Sequence, residues 1–299
     1  MLVKMSQHHV NALIDLLDLE PIEVNIFRGV NPDEERQRIF GGQVAGQALV
    51  AAARTVDDDR AVHSLHAYFL RPGDPNVPVL YEVDRIRDGR SFTTRRVAAI
   101  QHGRAIFHMS ASFHIAEPGF DHLDEMPDVP EPDRLPTRPE RFAAAGIEDT
   151  YGPSALDVRY ITNDPFNRRE PLPPTQRVWF RANGDLPDGQ VLHTCLLTYA
   201  SDMTLLDTTL LPHGSGATDR SVMMASLSRH VVPRPLPGRR MAAVRPAHAG
   251  RLRGPRTRHR PCVHPGRASR RKCRAGRPDP AGAVVISQAG DPRLDNVNP

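Results

Sequence analysis

The stretch that decides the fold is residues 40–54, FGGQVAGQALVAAAR. Its Ala, Leu and Gln content favours a helix, and its small side chains allow a sheet to approach that helix closely. Four strand candidates follow along the chain, at residues 62–70, 79–86, 91–101 and 104–115. A helix followed by consecutive antiparallel strands predicts an α+β unit in which one sheet wraps around one helix.

The last of these strands shows the clearest alternation of apolar and polar side chains. One face carries Ala105, Phe107, Met109, Ala111 and Phe113, and the other carries His108, Ser110, Ser112 and His114. Asp88-Gly89 and His102-Gly103 stand where hairpin turns are needed between strands. A short amphipathic helix over residues 10–19 precedes the unit.

The same order of elements begins again later in the chain. A strand candidate at 176–181 precedes an apolar helix predicted over 193–211, which Asp202 and Asp207 interrupt. The intervening stretch is rich in Pro, Asp and Glu, with one strand near 158–161. We therefore predict an N-terminal unit (1–117), a linker (118–175), the start of a second unit (176–227) and a basic tail (228–299).

Charge separates the tail from the rest of the chain. Residues 1–227 hold 22 basic and 32 acidic side chains, whereas residues 228–299 hold 17 basic and 3 acidic ones. Residues 228–282 contain 15 Arg, 9 Pro and no Phe, Trp or Tyr, which is too little apolar surface to offset the entropy of ordering. We predict a disordered tail. The alternative is a basic arm for nucleic acid, but the chain shows no nucleic-acid-binding fold, so no nucleic-acid partner is predicted.

Several classes of protein are excluded by composition. No apolar run of 18 residues exists, so no membrane span is expected. The N-terminus lacks the pattern of a signal peptide. Cys195, Cys262 and Cys273 have neither metal-ligand spacing nor the number for a disulfide scaffold. We expect a cytoplasmic protein without a bound metal.

Five motifs in sequence order resemble the acyl-CoA thioesterase II (TesB-type) family. They lie at residues 40–48, 64–73, 88–92, 199–202 and 211–214. The resemblance runs from about residue 10 to 227. It implies a double hotdog fold, in which two antiparallel sheets each wrap a central helix, with the second hotdog incomplete here. It also implies an acyl-CoA hydrolase that needs no cofactor and that can form a homo-oligomer.

The resemblance further implies a site of three polar side chains that hold the water attacking the thioester. The family's Asp corresponds to Asp202, and its hydroxyl residue corresponds to Ser226. A carboxylate can act as general base, and a hydroxyl can fix the water. Backbone N–H groups near Gly41 and Gly42 could stabilise the oxyanion. The family's Gln has no counterpart except Gln288, a superficial match in the tail.

The sequence also allows plainer interpretations of these residues. Asp202 could cap a helix or face solvent, and Asp207, five residues on, is expected to be exposed. His66 and His213 are expected to be structural, and Cys195 to be a buried hydrophobe. No Gly-x-Ser-x-Gly motif occurs, which argues against a Ser-His-Asp hydrolase. The missing Gln favours an alternative function. In this alternative, the chain is a hotdog protein that binds acyl-CoA or a partner but does not hydrolyse it.

The tail itself suggests why the second unit is incomplete. When GC-rich codons for residues 230–275 are read one nucleotide later, they give aromatic residues, a Tyr-Asp pair and a final Gln. We therefore predict that an insertion or deletion near codon 228 replaced the native strands with an out-of-frame tail. Loss of those strands would expose Leu196, Leu197, Leu205, Leu206, Leu210 and Leu211, and would lower solubility and activity.

The nucleotide sequence around codons 226–230 tests this prediction. A small insertion or deletion relative to related genes is expected there. The shift of frame could lie in the gene or be an error in reading its sequence. An uninterrupted reading frame, identical in independent clones, would rule out the reading error.

Overall fold

The computed structural model describes residues 2–32, 36–117, 128–149, 154–161, 166, 170–173, 175–204, 206–216, 219, 226–231, 242–246 and 284–285. Its helices are α1 (Leu2–Leu17), α2 (Gly41–Ala53), α3 (Arg138–Ala145), α4 (Gln190–Ser201) and α5 (Asp207–Leu210). Its strands are β1 (Glu20–Glu23), β2 (Ile26–Gly29), β3 (Arg60–Phe69), β4 (Val79–Asp88), β5 (Phe92–Gln101), β6 (Arg104–Ile115), β7 (Leu156–Tyr160), β8 (Val178–Ala182), β9 (Ser228–Val231), β10 (Ala242–Pro246) and β11 (Val284–Val285).

The first unit is an antiparallel sheet wrapped around α2. Its strand order is β1-β2-β4-β5-β6-β3-β9, so β3 crosses over to pair with β6 rather than with its sequence neighbour β4. Helix α2 is buried along almost its whole length, including Val44, Ala48 and Leu49. A helix that is apolar on all sides is expected to be buried, and the sheet that wraps α2 buries it as the sequence predicts.

The alternation predicted for β6 is confirmed by burial. Phe107, Met109, Ala111 and Phe113 are buried against the helix. The turn that follows β5 also has the expected form, because His102 and Gly103 both take positive φ, 51° and 68°. Two such residues between paired strands form the tight turn whose twist matches that of a hairpin.

Several elements differ from the sequence prediction. The strands β1 and β2 and the helix α3 were not predicted. Helix α1 is longer than the predicted 10–19, and the helix predicted over 193–211 is two helices, α4 and α5, separated by a turn. The break falls at Asp202, which occupies the C-cap position of α4.

The second unit contains α4 and a smaller sheet. Within the described residues this sheet has the strand order β11-β10-β8-β7. Of the six leucines predicted to be exposed, Leu196, Leu210 and Leu211 are buried, so the prediction is wrong for them. Leu197 and Leu206 are half-buried, and Leu205 lies outside the described residues. Leu196 belongs to the same buried cluster as Val178 and Phe180 of β8. The Leu172 N–H donates to the Leu211 carbonyl (2.8 Å), so residues of the predicted linker cover Leu211.

The segments predicted as linker and tail both contain regular structure. Helix α3 begins with a capping box between Thr137 and Glu140 and ends at Gly146, which takes the left-handed conformation. Strand β9 starts at Ser228, the first residue of the predicted tail, and pairs with β3, with Tyr68 opposite Ser228. Apart from β9, β10 and β11, the predicted tail, with Cys262, Cys273 and Gln288, lies outside the described residues.

A buried arginine joins the first sheet to the far end of α2. The side chain of Arg95 on β5 is almost fully buried, and its guanidinium donates to the Thr55 hydroxyl and carbonyl, both at 2.8 Å. It also donates to Asp88 Oδ1 at 2.5 Å. Because the Thr55 carbonyl is buried, its hydrogen bond from Arg95 ties the residues that follow α2 to the sheet.

We predict that Arg95→Met lowers the free energy of unfolding by about 3 kcal/mol, because it removes the hydrogen bonds of Arg95 and leaves the buried Thr55 carbonyl without its donor. Chemical denaturation measures this change. The matched control is Arg96→Met on the same strand, where an exposed pair with Asp84 is lost, and its effect should stay below about 1 kcal/mol. Equal effects of the two substitutions would contradict the role given to Arg95.

Candidate active site

The two central helices meet through glycines. A Cβ atom on Gly42 would lie 2.4 Å from the Tyr199 carbonyl oxygen, and one on Gly46 would lie 3.4 Å from the Cys195 carbonyl oxygen. As residue numbers rise along α2 they fall along α4, so the helices are antiparallel. The N-terminus of α2 therefore lies beside the C-terminus of α4.

Asp202 lies at this junction. It follows the last residue of α4 with φ −84° and ψ −10°, and its N–H donates to the Tyr199 carbonyl (3.3 Å). Its side chain is half-buried. Its Oδ2 atom lies 2.6 Å from the position that a Cβ on Gly41 would occupy. The carboxylate of the second unit is thus in contact with the first residue of the first unit's helix.

The electrostatics of this position come from two helix ends. The C-terminus of α4 is the negative end of its dipole and disfavours a carboxylate, whereas the N-terminus of α2 is a positive end and favours one. The N-cap residue of α2 is Phe40, which makes no side-chain cap. The N–H groups that open α2 therefore face the junction without a capping side chain from Phe40.

Phe69 contacts the same junction and pairs through its backbone with Leu227, the residue after Ser226. The Phe69 ring carbon Cε1 lies 2.8 Å from the position of a Cβ on Gly41, and the Phe69 N–H donates to the Leu227 carbonyl (3.0 Å). Ser226 precedes Leu227 in the chain. Its Oγ atom is buried and makes no hydrogen bond to the protein. A buried hydroxyl without a protein partner is a candidate for binding a water or a substrate atom.

Rings cover the side of the junction. The Phe40 and Tyr199 rings meet edge to face with their centroids 5.0 Å apart. This edge-to-face geometry is one that aromatic pairs favour, so it stabilises the packing of Phe40 on Tyr199. A small cleft on the outer side of Phe40 is lined by Asn31, Ile39, Gln43 and Pro75, among others.

A buried polar network, which was not predicted from the sequence, holds the first turns of α2. Gln43 Nε2 donates to Asn31 Oδ1 (2.9 Å), and Gln47 Nε2 donates to the Leu16 carbonyl (2.6 Å). The Tyr81 hydroxyl donates to Gln47 Oε1 (2.7 Å), and burial raises the pKa of this hydroxyl well above its usual value. The signal available in sequence was two glutamines in an otherwise apolar helix.

The remaining predicted residues fall into three cases. Asp207 was expected to be exposed, but it is buried and accepts a hydrogen bond from the Tyr160 hydroxyl (2.8 Å), so that expectation is wrong. His66 and His213 are exposed. Cys195 is buried, as predicted, and burial raises its thiol pKa to about 12, which leaves it unreactive as a nucleophile.

Two further features would bear on function in the described part of the chain: a metal site and a membrane-spanning helix. No group of three or more His, Cys, Asp or Glu side chains there is placed to hold a metal ion. No helix in that part is long and apolar enough to cross a bilayer.

Comparison with known proteins identifies the family. Residues 32–114 match the acyl-CoA thioesterase N-terminal domain, and residues 157–232 match the acyl-CoA thioesterase family. Acyl-CoA thioesterase 2 of Haemophilus influenzae is 39% identical over 237 residues, which cover 74% of this chain and 80% of that protein. The chain belongs to the acyl-CoA thioesterase II family, of the TesB type.

Solved structures agree with this assignment. The crystal structure of the acyl-CoA thioesterase II TesB2 from Mycobacterium marinum has 43% sequence identity and a TM-score of 0.62, covering 78% of this chain and 84% of that one. A protein with a hotdog fold from Alicyclobacillus acidocaldarius, 20% identical, has a TM-score of 0.62 over 79% of this chain and 85% of its own. The fold of this thioesterase II family member is a hotdog fold.

We predict that Gly42→Ala destabilises this thioesterase II by about 2–3 kcal/mol, because the new methyl group meets a backbone carbonyl that cannot move alone. Helix propensity alone would favour the substitution by about 1 kcal/mol. Chemical denaturation distinguishes the two effects.

Gly46→Ala is the control, because its new methyl group meets chiefly the end of the Leu17 side chain, 2.9 Å away, which can rotate. Its effect should stay within about 1 kcal/mol. A stabilised Gly42→Ala variant would show that the helices do not meet at Gly42.

Proposed function

We propose that this chain hydrolyses acyl-CoA thioesters to a free fatty acid and coenzyme A, with Asp202 as the general base. The observation that carries the proposal is the contact of the Asp202 carboxylate with Gly41 at the N-terminus of α2. The relatives' names support the substrate class, and the carboxylate beside the backbone N–H groups that open α2 supports the role given to Asp202.

The proposed reaction needs one water and no other reactant. Asp202 takes a proton as the water oxygen forms a bond to the thioester carbonyl carbon. The carbonyl oxygen becomes an oxyanion, which the N–H groups opening α2 at Gly41 and Gly42 stabilise. The C–S bond then breaks, the carbonyl forms again, and the proton on Asp202 passes to the departing thiolate.

Ser226 is proposed to position the water. A hydroxyl orients a water by hydrogen bonding without competing for the proton that Asp202 removes. The buried Ser226 Oγ without a protein partner supports this role. Gln288, the superficial counterpart of the family's Gln, lies outside the described residues and is given no role.

A second candidate function follows from the missing Gln. Without a third group to hold the water, the same junction could bind acyl-CoA without turning it over. Measuring both acyl-CoA affinity and thiol release separates the two: tight binding with no release selects the second function.

Three narrower expectations accompany the proposal. We infer that the chain binds acyl-CoA and does not bind nucleic acid. We also place the protein in the cytoplasm. We also infer that hotdog units of this chain can associate as a homo-oligomer. The division at residues 117, 175 and 227 stays a prediction.

We predict that Asp202→Asn lowers kcat for acyl-CoA hydrolysis by about 10²- to 10⁴-fold, the usual contribution of a general base. Ser226→Ala should lower kcat by about tenfold, the value of one hydrogen bond to the water. Thiol release from a long-chain acyl-CoA measures both rates.

Asp188→Asn is the matched control, since Asp188 is exposed and precedes α4 at the end opposite Asp202. Its kcat should equal that of the unmodified chain. Equal rates for Asp202→Asn and Asp188→Asn would refute the role of Asp202.

A further inference from the structure

We propose that Asp207 and Tyr160 are positioning residues, which anchor the turn carrying Asp202 to the second sheet. The proposal deepens the proposed hydrolysis and rests on it. Its basis is a buried carboxylate that the water-activating chemistry does not use, five residues after the proposed base.

The upstream end of the turn is fixed by α4. The N–H groups of Asp202 and Met203 donate to the carbonyls of Tyr199 (3.3 Å) and Ala200 (3.0 Å). The glycine contacts with α2 hold α4 itself. The backbone position of Asp202 is therefore fixed by α4, but the chain leaves the helix after this residue.

The downstream end is fixed by Asp207. This first residue of α5 is only 8% exposed, and its Oδ2 atom accepts a hydrogen bond from the Tyr160 hydroxyl (2.8 Å). Tyr160 is the last residue of β7 and pairs with Val178 of β8. The Arg141 guanidinium of α3 lies 4.4 Å from the centre of the Tyr160 ring, which holds the phenol in place.

The hydroxyls of the turn do not supply an alternative anchor. Thr204 and Thr208 are both buried, and neither Oγ1 atom makes a hydrogen bond to the protein. The contact from Asp207 to Tyr160 is thus a direct polar link from the turn to the second sheet. Burying a carboxylate is costly unless it is hydrogen-bonded, so its presence here is explained by the directional contact that it makes.

The consequence concerns rate more than binding. Asp202 acts on water, so displacing its turn misaligns the proton transfer while the acyl-CoA contacts persist. A shift of about 1 Å at a reacting group can cost about 10²-fold in rate. Loss of the anchor should therefore lower kcat and leave KM nearly constant.

Four variants test the anchor by thiol release from a long-chain acyl-CoA. Tyr160→Phe and Asp207→Ala should each lower kcat by about tenfold or more, with KM within about twofold. The double variant should be no slower than the slower single variant, because both substitutions remove the same contact. Asp207→Asn keeps a carbonyl acceptor for Tyr160 and should retain kcat within about threefold.

Amide hydrogen exchange over residues 199–210 provides a readout that does not depend on turnover. Exchange there should be faster in Tyr160→Phe than in the unmodified chain, with the unfolding midpoint of both proteins recorded alongside. Unchanged exchange, an unchanged kcat, additive losses in the double variant, or an Asp207→Asn rate as low as that of Asp207→Ala would each overturn the anchor.

The same measurements separate failure of the anchor from failure of the proposed function. If the unmodified chain releases no thiol, the hydrolytic function fails, and exchange alone decides whether the anchor holds the turn. If the chain is active and Asp202→Asn is not, while Tyr160→Phe is as fast as the unmodified chain, the anchor alone is wrong.

Discussion

The close contact between α2 and α4 is the constraint on which the rest of the structure depends. A Cβ on Gly42 would stand 2.4 Å from a backbone carbonyl of α4, so only a residue without a side chain lets the two helices approach this far. The approach brings a carboxylate of the second unit to the N-terminus of the first unit's helix. Neither unit alone contains this arrangement.

The contact also explains how a carboxylate is tolerated at the end of its own helix. At the C-terminus of α4, Asp202 meets the negative end of that dipole, and the neighbouring N-terminus of α2 offsets it. The same positive end would receive the oxyanion of a thioester intermediate. Base and oxyanion stabiliser are therefore proposed to share one helix terminus, which places the reacting carbonyl between them.

Local patterns in the sequence predicted the first unit well. The alternation from Ala105 to Phe113 and the turn at His102-Gly103 are set by neighbouring residues, so they can be seen without the tertiary structure. The break of the second helix at Asp202 was not predicted, because apolar residues lie on both sides of Asp202 between 193 and 211. The environment of Asp207 was misjudged for a related reason: it depends on Tyr160, a residue 47 positions away.

The candidate site was only partly predictable for the same physical reason. Asp202 and Ser226 were proposed through resemblance to a family, whereas the contacts of Gly41 with Asp202 and Phe69 join segments that are far apart in sequence. The buried network of Gln43, Gln47 and Tyr81 likewise joins parts of the chain that are far apart in sequence. Burial of polar groups depends on the partner, and the partner is a product of the fold.

The most direct test of the central claim is the source of the oxygen in the product. We would follow a single turnover of acyl-CoA by excess protein in water enriched in oxygen-18, with mass spectrometry of the released fatty acid. If Asp202 activates a water that attacks the thioester directly, the acid carries one solvent oxygen in the first turnover. An unlabelled acid would mean that a carboxylate oxygen of the protein had attacked the thioester, which would contradict the account.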